Sequence, residues 1–343
     1  MYTEAAILIE ANRLIVDQIE LPKIGPGQVL VEILYSGVCH TQLLEISGAK
    51  GPDPYLPHLL GHEGSGIVRE IGSEVKKVKE GDRVILSWMK GSGANIAGSV
   101  YNWKGTKVNS GAITTFSKFS VISENRLTSL PEKIEAKQAA LLGCALPTGL
   151  GVVFNTARPK PGQSIAIFGC GGIGLCAIQA ASIAGCYPII AIDLLDSKLE
   201  VAKKFGATQI INSSKEDPVK ALAEIGGMDF CIEATGSPSV MEQALQSVKN
   251  QGGKAIVVGN AHSGKKIALN PLLFNQGKHL LGTWGGDNNP DKHFPRYCNL
   301  IANNRFQLTP FLEKTYSLNS INTAVEDLKK GASIRPLIDM SLS

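Results

Sequence analysis

Three short stretches carry side chains able to bind a metal, and a fourth carries glycines spaced to meet a phosphate. Gly37-Val-Cys39-His40-Thr41, Gly61-His62-Glu63-Gly64 and Gly143-Cys144-Ala-Leu-Pro147-Thr148 offer thiolate and imidazole, borderline-soft donors suited to zinc. Three protein donors leave one tetrahedral position open, as a catalytic zinc needs. Their spacing alone does not bring them together, and a lone buried Cys is usually a small apolar core residue. The fourth stretch is contiguous. An apolar run, Ile165–Phe168, leads into Gly169-x-Gly171-x-x-Gly174, then an Ala-rich segment to Ala184, then Ile189–Ile192 ending in Asp193.

That order of strand, glycines, helix, strand and acid is a dinucleotide-binding pattern. The first glycine permits a tight turn, the second lets backbone approach a pyrophosphate, and the third packs helix close to strand. The helix N-terminus presents unpaired N–H groups to the phosphates, and Asp193 can accept from the adenosine ribose. A 2′-phosphate 4 Å from that carboxylate is repelled by about 4 kcal/mol at an effective dielectric near 20, which favours NAD over NADP. The residues expected to hold NAD here are Gly169, Gly171, Gly172, Ile173, Gly174, Asp193 and Lys198, the lysine at the ribose hydroxyls.

The elements that must position these residues fall into two patterns. Through about residue 125 the chain runs in short apolar stretches, among them Ala5–Ile9, Val29–Leu34, Gly66–Ile71, Gly81–Leu86 and Phe116–Ile122, punctuated by Gly and Pro. This is a β pattern with tight turns. Residues 91–111 lack periodicity and read as a surface lobe or long loop. Lys137–Leu150 reads as an apolar helix broken near Pro147. Strand and helix signals then alternate through Ala255–Val258, which predicts a parallel sheet wound with helices on both faces. Pro336–Met340 reads as a strand returning to the first domain. The expected class is therefore α/β: a β-rich domain at 1–145 plus 285–343, with a doubly wound domain at 146–284 inserted in it.

Composition narrows the partners. The 343 residues are 43% hydrophobic and 19% charged with a net charge of +4, ordinary for a soluble enzyme. Scattered Lys and Arg give no nucleic-acid footprint, and no apolar run reaches membrane-spanning length. The N-terminus MYTEAAILIE lacks the features of a secretory signal. Seven unevenly spread cysteines do not form a disulfide framework, which predicts a cytoplasmic protein.

With both patterns in view, the chain resembles the zinc-containing medium-chain alcohol dehydrogenases. GVCHT, GHEGSGIV, GDRV, GCALPTG, GCGGIG, FGAT and the terminal SIRPLI stand in that family's order over nearly the whole chain. The resemblance implies a GroES-like β domain with an inserted Rossmann domain. It implies Cys39, His62 and Cys144 as catalytic zinc ligands, with Glu63 behind the metal and able to ligate it transiently. Thr41 matches the hydroxyl that takes the alcohol proton, and His40 and Arg335 match pyrophosphate contacts. Thr148 and Ile173 match contacts to the nicotinamide side, and Trp88 an aromatic wall of the substrate pocket. The implied reaction moves hydride between a primary or secondary alcohol and NAD, or back from an aldehyde or ketone. A polyol or sugar dehydrogenase, and an inactive nucleotide-binding scaffold, are the alternatives.

The chain departs from that family in four places. No cysteine lies between His40 and Gly143, so the four-cysteine structural zinc of many relatives is not expected. One zinc per chain is expected, with the 91–111 lobe held by packing of Tyr101 and Trp103. Leu44 occupies a position where many relatives have a proton-relaying His, and Gln42 one where an Asp often supports the ligand His. The loop between Cys39 and His62 shows no cationic pair for a glutathione adduct. Ile256-Val-Val258 is expected, by analogy, to be an edge strand pairing across a two-fold axis, giving a homodimer or homotetramer.

Overall fold

The Gly-punctuated β pattern folds as two sheets. A closed barrel runs Tyr2–Glu10, Arg13–Glu20, Val100–Trp103, Thr106–Asn109, His58–Leu59. A seven-stranded sheet runs Leu127–Ser129, Arg83–Ser87, Glu63–Ile71, Gln28–Gly37, Leu337–Asp339, Thr315–Tyr316, with Phe119–Ser123 also paired to Gln28–Gly37. The computed structural model describes residues 1–342. These strands belong to one of two compact units, Met1–Cys144 together with the chain from Asn289 onward. Alternate residues Val29, Val31 and Ile33 enter its core with Leu86, Ile122 and Ile338, as the period of a half-buried strand requires. Leu337–Asp339 pairs antiparallel with Tyr35–Gly37, so the C-terminal strand returns to the first domain.

The second unit, Ala145–Asn288, is the inserted one. Its six strands are parallel, in the order Gln209–Asn212, Ile189–Asp193, Ile165–Phe168, Phe230–Glu233, Lys254–Val257, His279–Gly282. Short apolar strands such as Ile165–Phe168 are wholly buried, as a parallel sheet covered on both faces demands. The expected boundary lay before Gly285, whereas residues 285–288 stay with this unit. Asn288 holds them there, its amide donating to the carbonyls of Pro147 and Gly285 at 2.6 Å each.

Three expectations need correction. Residues 91–111 are not merely a loop, because Val100–Trp103 and Thr106–Asn109 form a hairpin within the barrel. Its tight turn has Lys104 at φ 51° and Gly105 at φ 85°, matching the strand twist as primed turns do. Tyr101 is 1% exposed among Ala5, Ile7, Ile19, Leu59 and Val108. The Val121 N–H donates to its hydroxyl at 2.8 Å, and the Trp103 indole donates to Asp17 at 2.8 Å. The preceding loop hangs on Glu124, whose carboxylate accepts the backbone N–H groups of Lys76, Lys77 and Ala94.

The helical stretch breaks at Cys144 (φ −151°, ψ −76°), not at Pro147. Pro147 lies in the first turn of Ala145–Gly151, where its missing N–H costs no intrahelical bond. Lys254–Val257, which holds Ile256, is an interior strand, and the sheet's edges are Gln209–Asn212 and His279–Gly282. Among the described residues no single helix is long and apolar enough to cross a membrane.

Candidate functional site

The first unit brings the three soft donors together. Cys39 precedes the helix His40–Ile46, His62 precedes the strand Glu63–Ile71, and Cys144 sits at the helix break. Their donor atoms all lie within 4.8 Å of one another, and His62 Nε2 is 3.3 Å from Cys144 Sγ. Both thiols are 6% exposed.

Glycine frames the triad because the acid behind it needs room. Glu63 is fully buried. A Cβ on Gly37 would lie 2.4 Å from its Oε1, and one on Gly143 would lie 2.5 Å from its Cβ. Hydroxyls fix the backbone around it. Ser36 and Thr115 each donate to the Glu63 carbonyl at 3.0 Å, and Ser87 donates to the Gly143 carbonyl at 2.7 Å. These three hydroxyls have no motif around them, and nothing in the sequence marked them out.

Arg335, 3% exposed, makes an ion pair with Glu63. Burial pulls the guanidinium down, but the surrounding thiols and Glu63 hold its pKa well above the usual value. Burial pushes Glu63 up despite Arg335. The hydrogen bond from Cys144 holds the Cys39 thiol well below its ordinary range, and the same bond, with burial, pushes Cys144 well above. Burial pulls His62 down, but its bond to Cys39 leaves it raised. Two buried thiols beside an imidazole suit a divalent cation, which stabilises both thiolates at once. The donor set therefore fits zinc.

Thr41 and Gln42 lie in the first turn after Cys39, with Gln42 buried and Thr41 half-buried. His40 is exposed. The Trp88 backbone N–H donates to the His62 carbonyl at 2.9 Å, which ties this half-buried residue to the His62 segment. A pocket of about 340 Å³ abuts His62, lined by Glu45, Asp53, Tyr55, His58 and Asn109 among others, with neither Lys nor Arg.

The second unit carries the glycine turn. Gly169 has φ 95°, and the helix Gly172–Ile183 follows. A Cβ on Gly174 would lie 1.8 Å from the Gly169 carbonyl oxygen. Asp193 ends its strand and accepts from the N–H groups of Cys170 at 2.8 Å and Leu195 at 3.1 Å. The acid thus fastens the glycine turn. Ile173 lies in the first turn of the helix, Lys198 is half-buried in the next, and Thr148 is buried in Ala145–Gly151.

Known proteins match both units. Residues 25–132 match the family model for the alcohol dehydrogenase GroES-like domain, and residues 172–303 that for zinc-binding dehydrogenase. The chain is 36% identical over 341 residues to an S-(hydroxymethyl)glutathione dehydrogenase of Photobacterium damsela subsp. piscicida, covering 91% of this chain and 92% of that one. Benzyl alcohol dehydrogenase from Acinetobacter calcoaceticus superposes with a TM-score of 0.91 at 31% identity, covering 99% of this chain and 100% of that one. An alcohol dehydrogenase zinc-binding domain protein from Burkholderia ambifaria superposes with a TM-score of 0.92 at 29% identity, covering 100% of both.

Proposed function

The chain belongs to the zinc-binding alcohol dehydrogenase family, and from that premise we propose that it interconverts a small uncharged alcohol and its carbonyl compound with NAD, using one zinc per chain. The buried Cys39, His62, Cys144 cluster carries this reading. Zinc held there supplies a Lewis acid that eases ionisation of an alcohol and polarises a carbonyl.

The chain's own residues do the rest. The Thr41 hydroxyl takes the alcohol's proton while passing its own onward. Leu44 cannot relay it, so with a dinucleotide bound its ribose hydroxyl and water would carry the proton onward. Leu44→His is expected to alter the rate and its pH profile; unchanged kinetics would show that no relay is missing. Glu63 lies behind the metal ligands as an exchangeable oxygen donor, held ready by Arg335. Arg335 and His40 are assigned to the pyrophosphate on the family likeness. Thr148 and Ile173 orient the nicotinamide, and Gly169 to Gly174 with Asp193 and Lys198 hold the rest of the dinucleotide. Trp88 walls the substrate and helps keep water out.

An uncharged substrate is favoured over a glutathione adduct because the pocket beside His62 is lined by Glu45 and Asp53, and Lys50, the cation beside them, is already engaged by Glu45 at 2.6 Å. Benzyl alcohol, the substrate named for the Acinetobacter relative, is the natural first probe. A homodimer or homotetramer is proposed from the edge strand His279–Gly282, where Leu281 is exposed, as are Leu272 and Phe274 shortly before it. A cytoplasmic location fits the seven free cysteines. NADH formation with alcohols of differing charge, with and without chelator, tests the function alongside metal analysis. The expected result is about one zinc per chain and chelator-sensitive turnover of neutral alcohols. Two zincs, or turnover confined to the glutathione adduct, would overturn it.

A further inference from the structure

The side chain behind His62 faces it with the wrong polarity for a metal ligand. Gln42 is fully buried. One end of its amide takes the Cys39 N–H at 2.8 Å, and the other meets His62 Nδ1. A backbone N–H can only donate, so the amide atom at Cys39 is the oxygen. The atom at His62 is then the NH2, which donates, and Nδ1 accepts with its lone pair. A neutral imidazole with a bare Nδ1 keeps its proton on Nε2. That is the atom facing Cys144, the one a metal must reach.

Metal ligation through Nε2 moves the proton to Nδ1. An N–H would then point at the amide N–H of Gln42. Turning the amide over cures that clash, because the oxygen then accepts from Nδ1–H. It also turns the NH2 onto the Cys39 N–H and strips a buried donor of its partner, which is costly. A carboxylate at position 42 would accept from both donors at once. Gln42 has one acceptor and two claimants.

We propose that Gln42 is a positioning residue whose amide turns over when the site fills, releasing the Cys39 N–H, so that this centre holds its metal more loosely than the same ligands backed by a carboxylate. The proposal rests on the metal-site reading above. It assigns Gln42 a role in metal exchange that the ligand set alone does not contain.

The test uses the full chain loaded with Co²⁺, whose thiolate charge-transfer absorption reports ligation by Cys39 and Cys144. Release to a coloured chelator is timed for wild type and Gln42→Glu. The variant is expected to release metal about 10–100-fold more slowly, the range that partners of ligand histidines command. Equal or faster release from a folded Gln42→Glu protein that shows the same absorption would overturn the proposal and leave the metal site standing. Absence of the absorption in wild type would overturn both. Should Gln42→Glu fail to fold, wild type alone decides by amide hydrogen exchange. Metal loading is expected to slow exchange across the site while speeding it at the Cys39 amide, and slowing there too would overturn the proposal.

Discussion

The metal centre and the glycine turn are built on opposite plans. The centre gathers side chains from residues 39, 62 and 144, each placed by a different element. The glycine turn uses backbone from one contiguous stretch, with Asp193 returning to accept from Cys170. A site made of side chains fails when a donor is lost. A site made of backbone fails when an atom is added, since the room vacated by each missing Cβ is what the ligand or the next turn occupies. Each plan therefore has its own point of attack.

The largest effect expected is from Cys144→Ala. It removes a donor and should lower turnover by about 10³-fold or more, the several kcal/mol that Lewis-acid catalysis supplies. Metal analysis should show loss of zinc, while NADH binding, read by fluorescence, should be retained. Loss of both together would break the comparison. Gly174→Ala is the converse. Its Cβ would meet the Gly169 carbonyl at 1.8 Å, and overpacking of about 1–3 kcal/mol should weaken NADH binding at least several-fold with zinc content unchanged.

Asp193→Ala sharpens the second plan. It removes the acceptor for Cys170 and Leu195 and the charge that repels a 2′-phosphate. The ratio of kcat/KM for NAD over NADP should fall about tenfold or more, since about 4 kcal/mol of repulsion is at stake. An unchanged ratio would show that the acid only fastens the turn.

Gly37→Ala tests whether the side-chain plan also depends on vacated room. Its Cβ would lie 2.4 Å from Glu63 Oε1, so a stability loss of about 1–3 kcal/mol should appear in denaturant titration. The smallest effect expected is from Tyr101→Phe in the barrel hairpin. It leaves the buried Val121 N–H without its acceptor and should cost about 1 kcal/mol or somewhat more, with kinetics and zinc content untouched.

The amino-acid sequence alone carried the glycine turn with its flanking strands and helix, because strand, glycine spacing, helix and acid are local and each has a conformational reason. It carried the alternation of strand and helix on either side for the same reason. The three metal donors were visible as residue types, but their convergence was legible only through likeness to a family, since a separation of 82 residues between His62 and Cys144 encodes no distance. Tertiary structure decided the rest. It drew the aperiodic lobe into the barrel as a hairpin buried on Tyr101, and it moved the helix break from Pro147 to Cys144. It also set Arg335 against Glu63 and turned the Gln42 oxygen to Cys39. Those outcomes depend on which distant groups compete for the same donor, acceptor or space, and such competition exists only once the chain has folded.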